Sequence, residues 1–171
     1  MNRRELLVAG LLAPALEGCG FKLRSSQVFA FERIAVTPEN GATVVAELGR
    51  YLGERVVPLA PVTGQAAAQV IFEILQEARE KTVVGINASG QVREYQLRMR
   101  VKFRLRTPQG QELIPEAEIT QQRDVSFSES AALAKEAEEV LLYRDMQADI
   151  VQQLLRRLGS VKQLAQAPAP A

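Results

Sequence analysis

The chain has 171 residues, which is long enough for a single domain with a substantial hydrophobic core. Its formal net charge is +1, which argues against a nucleic-acid-binding protein, because such proteins usually carry a global excess of basic residues. Histidine is absent and cysteine occurs once, so the usual catalytic triads and the usual zinc sites are excluded. A carboxylate-based hydrolase would need a specially placed pair of acidic residues, and no spacing in the sequence indicates one.

The amino terminus, residues 1–18, is predicted to be a signal peptide. Basic residues precede an apolar run over residues 6–16, which is shorter than the roughly 20 residues that cross a bilayer. The next four residues, Leu16-Glu-Gly-Cys19, resemble a bacterial lipobox, so we expect Cys19 to be lipidated. The alternative is an ordinary signal peptide with an incidental thiol. Residues 19–30 are then a tether, and Gly20, in place of an aspartate that favours inner-membrane retention, indicates the outer membrane.

A strand, a helix and a second strand are predicted to open the domain. Residues 32–37 alternate apolar and polar side chains, which is typical of a strand. Apolar residues at helical spacing then predict a core-facing stripe: Val44, Val45, Leu48, Tyr51 and Leu52. Residues 69–84 are predicted to form the second strand, with Glu73 and Glu77 on the same face because they are separated by an even number of residues.

The most regular pattern in the sequence covers residues 94–106. Apolar residues alternate there with polar ones over more than a dozen positions, which predicts a long strand with one buried face. The other face carries five cations, namely Arg98, Arg100, Lys102, Arg104 and Arg106. One interpretation is a solvated face with ion pairs across neighbouring strands, and the other is contact with an anionic ligand.

A hairpin connection at residues 85–90 and a fourth strand at residues 113–127 complete the predicted sheet. Pro115 near the start of that strand favours an edge position. If polar faces pair with polar faces, Glu116 and Glu118 of the fourth strand lie near Arg100 and Arg98, respectively. On the other side of the long strand, Glu73 lies near Lys102 and Glu77 near Arg98. Since these glutamates would neutralise the middle of the cationic strand, we expect any ligand to bind nearer the ends.

A final helix is predicted from the serines at positions 128 and 130 to about residue 158, with Gly159 ending it. Its expected core stripe consists of Leu133, Ala137, Val140, Tyr143, Met146, Ile150, Leu154 and Leu158. Residues 161–171 are predicted to be a disordered tail. The element order is β-α-β-β-β-α, which indicates one α+β domain over residues 31–160. We expect a two-layer sandwich with a four-stranded, mostly antiparallel sheet and two helices on one face.

Several segments together resemble the LPS-assembly lipoprotein family LptE. They are Cys19-Gly-Phe-Lys-Leu-Arg24, Glu94-Tyr-Gln-Leu97, Leu133-Ala-Lys-Glu136, Tyr143-Arg-Asp-Met146 and Gln153-Leu-Leu-Arg-Arg-Leu158. The resemblance covers nearly the whole chain after Cys19. It implies a non-enzymatic outer-membrane lipoprotein that plugs the LptD β-barrel, assists its assembly and binds lipopolysaccharide. It implies no metal and no cofactor beyond the covalent lipid on Cys19.

The resemblance also implies a lipopolysaccharide-binding site. The lysine of the Leu-Ala-Lys motif corresponds to Lys135. The family's second basic residue lies in the hairpin turn before Glu-Tyr-Gln; this turn carries no charge, and Arg93 is the nearest candidate. In a meander the same sheet end would also receive Arg123, so we expect these three cations to form a cluster. The alternative function is a free-standing periplasmic module that binds an anionic polymer or another envelope protein.

Overall fold

The computed structural model describes residues 27–38, 42–60 and 67–162. The predicted signal peptide, Cys19 and nearly all of the predicted tail lie outside these ranges. The described elements, in chain order, are β1 Ile34–Thr37, α1 Thr43–Leu52, β2 Val70–Ile86, β3 Val92–Arg106, β4 Glu112–Ser126 and α2 Ala132–Ser160. Two short 3-10 helices, Gly53–Arg55 and Glu129–Ala131, follow α1 and precede α2. None of the described helices is long and apolar enough to cross a membrane.

The four strands form one mixed sheet in the order β1-β2-β3-β4. Strand β1 is parallel to β2, because α1 lies between them in the chain, and the other two pairings are antiparallel. One hydrophobic core joins both helices to the same face of the sheet. The predicted α+β architecture and the element order are therefore confirmed, including the edge position of the strand that contains Pro115.

Strand β3 alternates as the sequence predicts. Its core-facing residues Leu97, Met99, Val101, Phe103 and Leu105 are completely buried. Each such side chain contributes about 1.5–3 kcal/mol relative to an exposed one, so this strand supplies a large part of the hydrophobic stabilisation. The intervening cations lie on the opposite face, which neither of the described helices covers. We call this second face the open face of the sheet.

A β-bulge in β2 changes which face its later residues occupy. Ile74 pairs with Phe103, but Gln76 pairs with the very next residue of β3, Lys102, so Leu75 is an extra residue. Beyond it, Glu77 pairs with the buried Val101 and therefore faces the helices. The prediction that Glu73 and Glu77 share a face is wrong for this reason, because one inserted residue inverts every later side chain.

The inverted Glu77 stabilises the start of α1. Its carboxylate accepts hydrogen bonds from Thr43 Oγ1 at 2.6 Å and from the backbone N–H of Val44 at 3.3 Å. The residue at the N-cap position, Ala42, has no side-chain hydrogen bond to offer. A strand carboxylate thus satisfies helix donors that a local cap would normally satisfy, and it places negative charge at the positive end of the helix.

The hydrophobic stripe of α2 is buried only in its carboxyl-terminal half. Six residues of that half are buried: Met146, Ile150, Val151, Leu154, Leu155 and Leu158. Three residues that the sequence predicted to be core, Leu133, Ala137 and Val140, are exposed, as is Tyr51 of α1. The prediction failed because residues 137 and 146 are nine residues apart, which is two and a half helical turns. They therefore lie about 180° apart around the helix axis, on opposite faces.

Both ends of α2 also differ from the prediction. The side chains of Ser128 and Ser130 bond to each other, at 2.9 Å between their hydroxyl oxygens, and neither caps the helix. The helix continues through Gly159 to Ser160. Gly159 lies against the first described residues, with its Cβ position 3.8 Å from the carbonyl oxygen of Val28. The chain entry at residue 27 and the end of α2 therefore lie together at one end of the molecule.

The uneven burial of α2 predicts uneven effects of alanine substitutions. Leu154→Ala removes a fully buried side chain and should lower the free energy of unfolding by about 2–5 kcal/mol. Leu133→Ala, the matched control, removes a side chain that is 83% exposed and should change it by less than about 0.5 kcal/mol. Urea unfolding followed by circular dichroism measures both, and equal losses from the two variants would contradict this packing.

Candidate functional site

The cationic row on the open face is largely neutralised by acidic side chains. Arg104 and Arg106 both bind Glu73, the second at 2.9 Å between Nη2 and Oε1. Arg100 forms an ion pair with Glu80. The pKa of Glu73 is held below its ordinary value, chiefly by the hydrogen bond from Arg106, against the opposing effect of partial burial. The ion-pair interpretation of this face is supported for these three cations.

The partners along this row differ from the predicted ones. The bulge at Leu75 turns Glu77 away from this face, and the pairing of β3 with β4 has its own register shifts next to Leu105. Lys102, and not Arg98 or Arg100, lies opposite Glu118, while Arg100 lies opposite Thr120. In the register of β2 and β3, Glu80 lies opposite Arg98. Among the described residues, no ion pair involves Arg98. The hydrogen bond to Glu80 is the main reason that the pKa of Arg100 lies above its ordinary value, and the negative charge of Glu80 adds to this effect. The predicted neutralisation therefore occurs with a different set of pairs.

Lys135 and Arg93 lie at the same end of the sheet. The ammonium of Lys135 donates to Ser126 Oγ at 2.9 Å and to Glu138 Oε2 at 2.8 Å. The residue after Ser126, Phe127, donates its backbone N–H to the carbonyl of Arg93 at 2.7 Å. Arg93 itself is the extra residue of a bulge next to the hairpin. Among the described residues, its exposed guanidinium reaches only Gln91, at 3.4 Å.

Arg123 is committed to a different interaction. Its guanidinium pairs with Asp149 of α2 at 2.8 Å and also donates to the side chain of Gln121 at 3.2 Å. In the sheet it lies opposite Leu97, three residues before Ser126 along β4. Within the described chain, no hydrogen bond or ion pair joins it to Lys135 or Arg93. The structure therefore brings two of the three predicted cations to one sheet end and ties the third to the helix.

Lys81 is a fourth cation at this end, and the sequence analysis did not identify it. Its ammonium is 4.4 Å from the ring centroid of Tyr95 and pairs with Glu139 of α2 at 2.5 Å. That hydrogen bond is the main reason that its pKa lies above the ordinary value. Lys81 faces α2 because the bulge at Leu75 inverts β2, and nothing in the sequence marks that bulge.

Together these residues define a corner between the end of the sheet and the first turns of α2. A recess of about 50 Å³ is lined there by Lys81, Tyr95, Val125, Ser126, Phe127, Lys135, Glu136 and Glu139. The rings of Tyr95 and Phe127 meet edge to face with 5.4 Å between their centroids. Each ammonium already has one carboxylate partner, so an incoming anion competes with a glutamate for the positive charge. Among the described residues no group of acidic or cysteine side chains is arranged to hold a metal ion.

The ion pairs of Glu73 predict a dependence of stability on pH. A carboxyl group with a lowered pKa in the folded state stabilises the protein above the unfolded pKa, and this stabilisation is lost as the pH falls through the folded value. We therefore expect the stability of the wild type to fall on acidification below about pH 4.5 more steeply than that of Glu73→Gln. The measurement is urea unfolding at a series of pH values. Glu129→Gln controls for the change in net charge, since it removes an exposed carboxylate that has no ion pair among the described residues. Identical pH slopes for the wild type and Glu73→Gln would contradict the prediction.

Comparison with solved structures identifies lipoproteins of the same fold. The solution structure of an uncharacterized lipoprotein B from Nitrosomonas europaea is 36% identical, with a TM-score of 0.67, covering 82% of this chain and 91% of that one. A minor lipoprotein from Acinetobacter baumannii is 17% identical and shares the fold, with a TM-score of 0.60 and coverage of 82% and 100%.

Sequence comparisons place the chain more specifically. It is 29% identical over 164 residues to the LPS-assembly lipoprotein LptE of Pectobacterium atrosepticum, covering 94% of this chain and 87% of that protein. Residues 31–158 match the family described as "LptE: Lipopolysaccharide-assembly". This range contains the four strands, α1, and α2 except for its last two residues. The chain therefore belongs to the LptE family of lipopolysaccharide-assembly lipoproteins.

Proposed function

We propose that this protein is a non-enzymatic outer-membrane lipoprotein that plugs the LptD β-barrel, helps to assemble it and binds lipopolysaccharide during insertion into the outer leaflet. The single observation that carries the proposal is the match of residues 31–158 to the LptE family. The name of the relative from Pectobacterium atrosepticum, an LPS-assembly lipoprotein, supports the same role. Lipidation at Cys19 provides the membrane anchor in this proposal, and several acyl chains together anchor a protein firmly.

The open face supports the plug role through its chemistry. A plug must fill an aqueous barrel lumen, whose inner wall is polar, without leaving unpaired charge at the contact. The cations of β3 have carboxylates beside them: Glu73 and Glu80 from β2, and Glu118 opposite Lys102 from β4. Because the face is polar but largely neutralised, it can meet a hydrated wall at low electrostatic cost.

The corner at the end of the sheet supports lipopolysaccharide contact. Lipopolysaccharide carries phosphate groups, and hydrogen bonds between ammonium or guanidinium groups and phosphate are about twice as strong as neutral ones. Lys135 and Arg93 present such groups at one sheet end, and the guanidinium of Arg93 has no carboxylate partner among the described residues. The proposal includes Arg123, which would have to exchange Asp149 for a phosphate and should therefore contribute less.

Co-purification from detergent-solubilised outer membranes tests the plug role. The full-length chain, purified through a tag at its carboxyl terminus, should bring the barrel protein with it in a fixed ratio. Cys19→Ser serves as a variant that cannot be lipidated. Recovery of the wild type from the outer membrane without any barrel protein would contradict the proposal and would favour a free-standing periplasmic module.

Lipopolysaccharide binding should depend on Lys135. Lys135→Asp reverses the charge at the corner, so we expect roughly tenfold weaker binding, with the difference shrinking as salt screens the exposed charges. Arg144→Asp is the matched control, since it makes the same charge reversal at an exposed position of the same helix. Binding of purified lipopolysaccharide at two salt concentrations is the measurement, with circular dichroism to verify folding. Equal affinity of the folded Lys135→Asp variant and the wild type would remove Lys135 from the site.

A further inference from the structure

Lys81 is a cation on the helix face of the sheet, and its surroundings hold it in one position. Its backbone pairs with Leu97 of β3, and the hydroxyl of Tyr143 donates to the carbonyl of the preceding residue, Glu80, at 2.8 Å. Its ammonium lies 4.4 Å from the ring centroid of Tyr95. Because a cation is attracted to the face of an aromatic ring, this contact keeps the ammonium at the recess that Tyr95 also lines.

Two ammonium groups from separate elements meet at this recess. Lys81 reaches it from β2 and Lys135 from α2, whereas Arg93 and Arg123 are not among the described residues that line it. The side chains of Lys81 and Lys135 are 37% and 23% exposed, so a group in solution can reach both. The recess of about 50 Å³ has room for roughly three to five water-sized atoms, which suits the oxygens of one phosphate group.

Both lysines have hydrogen-bonding capacity left. An ammonium group has three N–H donors. Within the described chain, Lys81 donates one hydrogen bond, to Glu139, and Lys135 donates two, to Ser126 and Glu138. At least one N–H of each ammonium is therefore available to a further acceptor at the recess.

Glu139 holds the position at which an anion would bind Lys81. It follows Lys135 by four residues, so the two side chains are neighbours on one face of α2, and its carboxylate pairs with Lys81 at 2.5 Å. The other acidic residue at the recess, Glu136, is exposed and has no ion pair among the described residues. Glu139 is therefore the internal carboxylate with which an incoming anion competes most directly.

The chemistry of the recess favours phosphate over another carboxylate. A carboxylate has one negative charge and two oxygens, whereas a phosphate monoester carries a charge of about −1.5 to −2 at pH 7 and three strong acceptor oxygens. A phosphate can thus accept from both lysines at once, while Glu139 pairs only with Lys81 within the described chain. The extra charge and the extra acceptor are what an incoming group needs in order to compete with the glutamate.

We propose that Lys81, together with Lys135, binds a phosphate group of lipopolysaccharide, and that Glu139 is a built-in competitor that lowers the affinity of this site. This inference rests on the proposed function, because it takes lipopolysaccharide as the ligand. It gives Lys81 a direct role in binding, in addition to the ion pair that connects β2 to α2. A protein that must release its lipid during insertion benefits from the moderate affinity that an internal carboxylate produces.

Neutralising the two members of the ion pair should have opposite effects. Lys81→Gln should weaken the binding of purified lipopolysaccharide to the detergent-solubilised full-length chain roughly tenfold, whereas Glu139→Gln should strengthen it roughly threefold. Both variants break the same ion pair, so a purely structural role would change binding in the same direction. Lys162→Gln and Glu116→Gln are the matched controls, since both residues are exposed and lie outside the recess. Each should change the affinity by less than about twofold.

The same lipopolysaccharide without its phosphates identifies the bound group. Its affinity should differ by less than about twofold between the wild type and either variant of the ion pair. If the full differences persist with this ligand, phosphate is not the bound group and the inference is wrong.

The remaining outcomes separate this inference from the proposed function. Circular dichroism verifies that each variant is folded. If the wild type binds lipopolysaccharide and folded Lys81→Gln binds it equally well, the inference is wrong while the proposed function stands. Weaker binding by folded Glu139→Gln has the same meaning. If the wild type does not bind lipopolysaccharide at all, both this inference and the lipid-binding part of the proposed function are wrong.

Discussion

The single extra residue in β2, Leu75, is the constraint on which the rest of the structure depends. Before it, the side chains of β2 lie on the faces that alternation predicts; after it, as far as the second bulge at Val84, each lies on the opposite face. Glu77 is thereby directed toward the helices, where it binds the first turn of α1, and Lys81 is directed toward Glu139 of α2. The bulge thus connects the sheet to both helices by polar contacts that a regular strand could not make.

The same bulge separates two electrostatic regions. On the open face it leaves Glu73 and Glu80 among the arginines of β3, which makes that face polar without a large excess of charge. On the helix face it brings Lys81 beside Tyr95, at the end of the sheet where Lys135 bonds to Ser126. A largely neutralised polar face and a corner that holds Lys81 and Lys135 beside their glutamates suit the proposed role in lipopolysaccharide assembly.

The sequence was informative where a pattern is local and continuous. The alternation along β3 correctly predicted its buried residues and its cationic face, and the turn residues at 85–90 correctly placed the hairpin between β2 and β3. It failed where one residue decides a long-range arrangement, because no local signal marks Leu75 as a bulge. It also failed for the first half of α2, where Leu133 follows the apolar spacing but points away from the core. Of the candidate site, Lys135 and Arg93 were predicted to share a sheet end and do so, whereas the pairing of Arg123 with Asp149 and the presence of Lys81 depend on tertiary packing.

The position of Glu77 is the most direct test of this account, since it reports the face inversion itself. In an isotope-edited NMR spectrum of the domain, the side-chain protons of Glu77 should show nuclear Overhauser contacts to the backbone amide proton of Val44, because its carboxylate accepts that N–H at 3.3 Å. Contacts from Glu77 to the side chain of Arg98 on the open face, with none to Val44, would mean that β2 is regular at Leu75 and would contradict the account.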